Sequence, residues 1–118
     1  MGRAILSLVA QYSAELDGVF LALADPTRRA VLGRLGEGRA SVGDLARLFP
    51  MTLPSFMKHV RTLEQSGLIR TEKIGRVRLC ALDRDRLALV DGWLAEQRAN
   101  WVARTDRLEQ FLTIKESP

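Results

Sequence analysis

The chain has 118 residues, a formal net charge of +4, one cysteine and one histidine. That length supports a single modest core, the lone Cys80 excludes an intramolecular disulfide and points to the cytoplasm, and no uninterrupted apolar run approaches the roughly 20 residues that span a bilayer. With one imidazole, one thiol and no glycine-rich phosphate loop, neither a paired nucleophile and base nor a carboxylate dyad assembles, so an enzyme is not expected.

Residues 4–24 are rich in helix formers. Ile5, Val9 and Tyr12, then Leu16, Val19, Phe20 and Leu23, recur at helical spacing. The first ten residues faintly resemble a secretory leader, but the apolar run soon meets Gln11, Glu15 and Asp17 and reads as a helix start. Asp17-Gly18 predicts a break or kink. The second half packs on the core. The first half has more apolar surface than a free tail carries, so it is expected to meet a partner. Asp25-Pro26 then opens a second helix, with an Asp cap and Pro at the first helical position. Val31, Leu32 and Leu35 form its buried stripe and Gly36-Glu37-Gly38 ends it. Arg28 and Arg29 are expected in solvent rather than on a phosphate. Ser41-Val42-Gly43-Asp44 resembles a capping box, with Asp in place of Glu. Leu45, Ala46 and Phe49 face inward, Pro50 ends this helix, and Met51 completes the turn.

Thr52 caps the next helix, Pro54 sits harmlessly in its first turn, and Gly67 stops it. Phe56, Val60 and Leu63 make its apolar face; Ser55, Lys58, His59 and Thr62 share the opposite one. Taken alone, this is an ordinary amphipathic helix with a solvated face. Preceded by a short helix and a tight turn, it completes a helix-turn-helix, and its short cationic face suits a DNA major groove. Two β-prone runs then flank Gly75 and predict a hairpin, basic at Lys73, Arg76 and Arg78. Such a wing lies along phosphates or dips into the minor groove.

Asp83 caps the longest helix, expected over about residues 84–112, ~29 residues and ~43 Å long. Leu87, Val90, Leu94, Gln97, Trp101, Arg104, Leu108 and Phe111 follow alternating steps of three and four, a heptad seam with two polar interruptions. A dimer interface is expected from Leu87, Val90, Leu94, Trp101, Leu108 and Phe111 of this helix, with Ile5 and Val9 of the first. Residues 113–118 read as a frayed tail.

The charge is localised. Residues 52–78 hold six basic and two acidic side chains; the other 91 residues hold twelve of each. The whole excess therefore falls on the proposed helix and wing, the footprint of a polyanion binder. The expected fold is mainly α with a small β-hairpin, a single winged helix-turn-helix domain over 1–118: a helical segment over 1–24, a core over 25–82 and a dimerisation helix over 83–112. Candidate DNA contacts are Thr52, Leu53, Pro54, Ser55, Lys58, His59, Arg61 and Thr62 on the helix, and Lys73, Arg76 and Arg78 on the wing. An alternative is a protein-interaction winged helix whose basic face meets an acidic partner.

Residues 16–112 also carry a family resemblance. Leu23-Ala24-Asp25-Pro26-Thr27-Arg28-Arg29 opening a helix, the run from Leu53-Pro54-Ser55-Phe56 to Gly67-Leu68-Ile69, and Gly75-Arg76 in the wing together resemble the ArsR family of bacterial winged-helix transcriptional repressors. The resemblance implies a homodimer built from first and last helices, with each 53–66 helix in a major groove of a palindromic operator in double-stranded DNA. The family's metal-sensing members carry a Cys-x-Cys box where this chain has Ser41 and Gly43. Others bind zinc through the last helix, which here has no His. No metal site and no cofactor are therefore expected, no membrane partner is expected, and the residues name no small-molecule inducer. Cys80 reads as a small, partly buried wing residue.

Overall fold

The structure, a computed structural model, describes residues 2–116, and side chains as far as residue 113. α1 (Gly2–Leu23) is one unbroken helix, so the break expected at Asp17-Gly18 does not occur. Packing overrides the local cost of a helical glycine, about 1 kcal/mol. A Cβ added at Gly18 would stand 4.0 Å from the Ser66 Cα, an ordinary van der Waals contact. Leu16, Val19 and Ala22 are buried, while Ile5, Leu6, Leu8 and Val9 are exposed. By length and mean hydropathy this one helix is sufficient to cross a membrane, which amends the expectation that no stretch comes close. Its apolar residues are interrupted by polar ones, and Leu16, Val19 and Ala22 in its C-terminal half are buried in protein.

α2 (Pro26–Leu35) starts where the Asp25 carboxylate accepts from the Arg28 backbone N–H at 3.0 Å. α3 (Val42–Ala46) starts where Ser41 Oγ accepts from Asp44 N–H at 3.0 Å. α4 (Leu53–Gln65) starts where Thr52 Oγ1 accepts from Ser55 N–H at 3.3 Å. Each cap satisfies an orphan donor of its first turn. Phe56, Val60 and Leu63 of α4 are almost wholly buried, each side chain contributing on the order of 1.5–3 kcal/mol. Leu45 of α3 is buried, Ala46 and Phe49 half-buried. Phe49 stacks on Phe56 with ring centroids 5.6 Å apart, which fixes the turn against α4.

The expected hairpin is two strands of a three-stranded antiparallel sheet, in the order β1-β3-β2. β2 (Ile69–Ile74) and β3 (Val77–Leu82) form the hairpin, with Ile74 opposite Val77 across Gly75-Arg76 and Gly75 at φ +63°. β1 (Ala40–Ser41) adds itself to β3 by pairing Ala40 with Cys80 and Ser41 with Leu79. Two residues carry no alternation, so only the partner strand defines this element.

α5 (Arg84–Glu116) begins after Asp83, whose Oδ1 accepts from Asp85 and Arg86 backbone N–H groups at 3.1 and 3.3 Å. Residues 113–116, expected as tail, continue the helix; residues 117 and 118 lie outside the described residues. The chain divides into two compact units, with the boundary after Leu87 inside α5. The first unit holds α1 through α4, the sheet and the first residues of α5. The second is the remainder of α5. Val90 in it is half-buried, and Leu94, Trp101, Leu108 and Phe111 are exposed, as are Val102 and Leu112.

Candidate nucleic-acid interface

The turn between α3 and α4 delivers the polar face of α4 to the surface. Ser55, Lys58 and Arg61 are exposed, as are Leu53 and Pro54 in the first turn. Thr52 and Ser55 act as one unit: besides capping the helix, Thr52 Oγ1 donates to Ser55 Oγ at 3.0 Å. Thr62 is half-buried and its hydroxyl donates to the Lys58 carbonyl at 3.0 Å.

His59 departs from the sequence reading, which sets it beside Lys58 on an open face. Its side chain is only 22% exposed. Nδ1 lies 3.1 Å from Nη1 of Arg28 and 3.7 Å from Oδ2 of Asp25. Arg28, expected in solvent, is half-buried and serves the end of α1; Arg29 is exposed as expected and reaches the same helix end. Arg28 Nε donates to the Ala22 carbonyl at 2.8 Å and Nη2 to Leu21 at 2.9 Å; Arg29 Nη1 donates to Leu23 at 2.7 Å. α1 has no basic residue in its own last turn, so α2 supplies the cations that its C-terminal carbonyls favour. The Arg28 backbone N–H holds the Asp25 carboxyl below its ordinary value; partial burial opposes this, and the neighbouring His59 and Arg28 side chains add to it. The sequence signal for this cluster was the string Asp25-Pro26-Thr27-Arg28-Arg29, but nothing local ties it to a histidine 31 residues away.

On the wing, Lys73, Arg76 and Arg78 are exposed. Lys73 and Arg78 are register partners. Arg78 Nη1 donates to Thr71 Oγ1 at 2.9 Å, and Thr71 Oγ1 donates to Glu64 Oε2 at 2.7 Å. This relay links the wing to the end of α4. At the other end of the hairpin Arg70 reaches Asp83, 3.0 Å from guanidinium to carboxylate. Burial pushes the Asp83 carboxyl up, but the Arg86 backbone N–H and Arg70 outweigh it and hold it below its ordinary value. Cys80 is fully buried, and burial, helped by Glu64, pushes its thiol up. Of the positions matching a metal-sensing thiolate pair, Ser41 is occupied as the α3 cap and Gly43 has no side chain. Among the described residues no three His, Cys, Asp or Glu side chains group as metal ligands.

A helix-turn-helix backed by a winged three-stranded sheet, with the chain's whole charge excess on the outer helix and wing, defines a DNA-binding regulator. Comparison with known proteins agrees. Residues 23–72 match the helix-turn-helix domain family. Over 72 residues the chain is 39% identical to an HTH-type transcriptional regulator of Mycobacterium tuberculosis, spanning 61% of this chain and 67% of that protein. It is 36% identical over 61 residues to the transcriptional repressor SdpR of Bacillus subtilis, spanning 52% of this chain and 68% of that one. The crystal structure of an ArsR family transcriptional regulator is 58% identical, covers 75% of this chain and 92% of its own, and superposes with a TM-score of 0.73. The chain belongs to the ArsR family of winged helix-turn-helix transcriptional regulators.

Proposed function

We propose that this regulator is a homodimeric repressor, acting in the cytoplasm, that binds an imperfect palindrome in double-stranded DNA. The observation that carries the reading is the confinement of the +4 excess to residues 52–78, most of whose basic side chains are exposed on α4 and the wing. Ser55, Lys58 and His59 meet base edges, with Thr62 beside them. Thr52 and Arg61 anchor the backbone, and Leu53 and Pro54 pack at the start of the groove, where an aliphatic side chain suits a thymine methyl. Lys73, Arg76 and Arg78 meet phosphates or the minor groove. Two α4 helices related by a dyad enter successive major grooves, roughly 34 Å apart. The second subunit is held by the exposed apolar residues of α1, Ile5 and Val9, and by the α5 seam through Trp101 and Leu108, with Leu87, Val90, Leu94 and Phe111 along the same stripe.

The test is a salt titration of wild type, Lys58→Ala and Arg76→Ala on selected operator and scrambled duplexes. Lys58→Ala is expected to cost about 1–3 kcal/mol on the operator and relax one position of each half-site. Arg76→Ala weakens operator and scrambled DNA alike and flattens the slope of log affinity against log salt by about one unit for each phosphate it no longer neutralises. If both variants are silent on both duplexes, the basic face serves an acidic partner instead and the repressor reading fails.

A further inference from the structure

We propose that Arg28 of α2 is a positioning residue for base reading: it fixes His59 as the Nε2–H form, so that the ring offers the groove a donor. The proposal rests on α4 being the groove helix. A neutral imidazole has one donor and one acceptor nitrogen, whereas a guanidinium has only donors and is always charged. The nitrogen 3.1 Å from Arg28 Nη1 therefore accepts. That nitrogen is Nδ1, so the proton sits on Nε2.

The guanidinium aims at the ring rather than adapting to it. Nε and Nη2 are held by the Ala22 and Leu21 carbonyls at 2.8 and 2.9 Å. The Arg28 backbone N–H is held by Asp25 Oδ2 at 3.0 Å. With the group fixed by the end of α1 and the start of α2, Nη1 has one direction left, toward α4. Asp25 competes, because a carboxylate 3.7 Å from Nδ1 favours a proton there. It loses, because 3.7 Å is beyond hydrogen-bond length. Remove the guanidinium and the preference reverses.

The choice of tautomer decides what the ring reads. A donor in the major groove meets guanine N7 and O6, adenine N7 or thymine O4, and is turned away by the amino group of cytosine. An Nδ1–H ring would present a lone pair to the groove and favour the amino group of cytosine or adenine. Arg28, which in this arrangement touches no DNA, thus sets a preference for guanine over cytosine at the step that His59 meets.

The chain has one histidine, so two-bond 1H–15N correlations of the 15N-labelled full-length protein report this ring alone. At about pH 8.5, where an imidazole is neutral, wild type should give a single Nε2–H pattern. Arg28→Lys, which keeps a charged donor, should keep it. Arg28→Met should move toward Nδ1–H, and adding Asp25→Asn should abolish that shift. An Nδ1–H or averaged wild-type pattern overturns the proposal, as does an Arg28→Met pattern identical to wild type. On DNA, the step that loses its preference in His59→Ala should favour guanine over cytosine by about tenfold in wild type. Arg28→Met should erase or invert that preference while random-duplex binding stays within about twofold. If Arg28 merely caps α1, all sequences weaken together with the ring pattern unchanged, which also overturns it. If wild type shows no sequence preference at all, the groove reading of α4 has failed, and the nitrogen spectrum still decides the tautomer.

Discussion

Gly67→Ala tests the join between α4 and the wing. Gly67 has φ +81° and ends α4 just after its cap residue Ser66. A methyl there meets two penalties. The left-handed conformation costs an L-residue roughly 1–2 kcal/mol. The new Cβ would also stand 2.6 Å from Arg86 Nε and 3.0 Å from its Cζ. Arg86 is a flexible side chain, so it swings away rather than forcing the backbone apart. Doing so gives up its pairing with Glu15, 3.4 Å from Nη1 to Oε2, worth less than about 1 kcal/mol at these partial exposures. Against this, alanine restricts the unfolded chain and returns about 0.4–1 kcal/mol. The net expectation is a loss of about 1–2 kcal/mol, read as a fall of roughly 1 M in the urea midpoint at fixed protein concentration. Gly67→Asn should lose less, because asparagine visits the left-handed region more readily. In an Arg86→Ala background the alanine penalty should shrink toward the backbone part alone. A midpoint unchanged by Gly67→Ala would refute the argument, since both penalties follow directly from the cap geometry.

Trp101 is 71% exposed; under the dimer reading it is covered by the partner, so Trp101→Asp buries an unpaired carboxylate and should move the light-scattering mass from about twice 13.2 kDa toward that value. A dimer unaffected by this change would remove the α5 seam from the interface. Asp25 and Asp83 both have carboxyls held below their ordinary value of 3.8, so the folded state binds fewer protons than the unfolded one. Their contribution is complete above that value and lost as pH falls through the lowered folded values. Urea unfolding at about pH 5 and pH 3 should show a steeper acid loss for wild type than for Asp25→Asn/Asp83→Asn, and equal losses would count against these two caps.

Helix starts were legible because a cap is a local device. Asp25, Ser41 and Thr52 each bond a backbone N–H three residues on, which is a pattern a sequence displays. The turn at Gly75 and the stop at Gly67 are equally local. What escaped is non-local. β1 exists because Cys80 and Leu79 of β3 offer an edge to Ala40 and Ser41. Arg28 and Arg29 read as solvated, yet their guanidinium groups donate to the carbonyls of Leu21, Ala22 and Leu23. A backbone carbonyl is the same for every residue and leaves no mark in a sequence. Gly18 reads as a helix breaker, yet α1 runs through it unbroken.

His59 was half legible. At 100° per residue it lies roughly 60° from the centre of the Phe56–Val60–Leu63 stripe, a boundary position rather than part of the open face with Lys58 and Ser55. A boundary histidine has one nitrogen turned inward and one outward, and whatever binds the inner atom decides the outer one. The wing follows the same logic of constraint from behind. Lys73 and Arg78 are direct register partners, and like charges so placed repel. The Thr71 hydroxyl, itself bonded to Glu64 of α4, draws Arg78 aside. Under the DNA-binding reading, a phosphate between these two cations relieves the repulsion. Glu64 then ties the wing to the helix that reads bases, as Arg28 ties the same helix to α1 and α2. Under the DNA-binding reading, the reading atoms are few and exposed, and their aim is set by residues that never touch the nucleic acid.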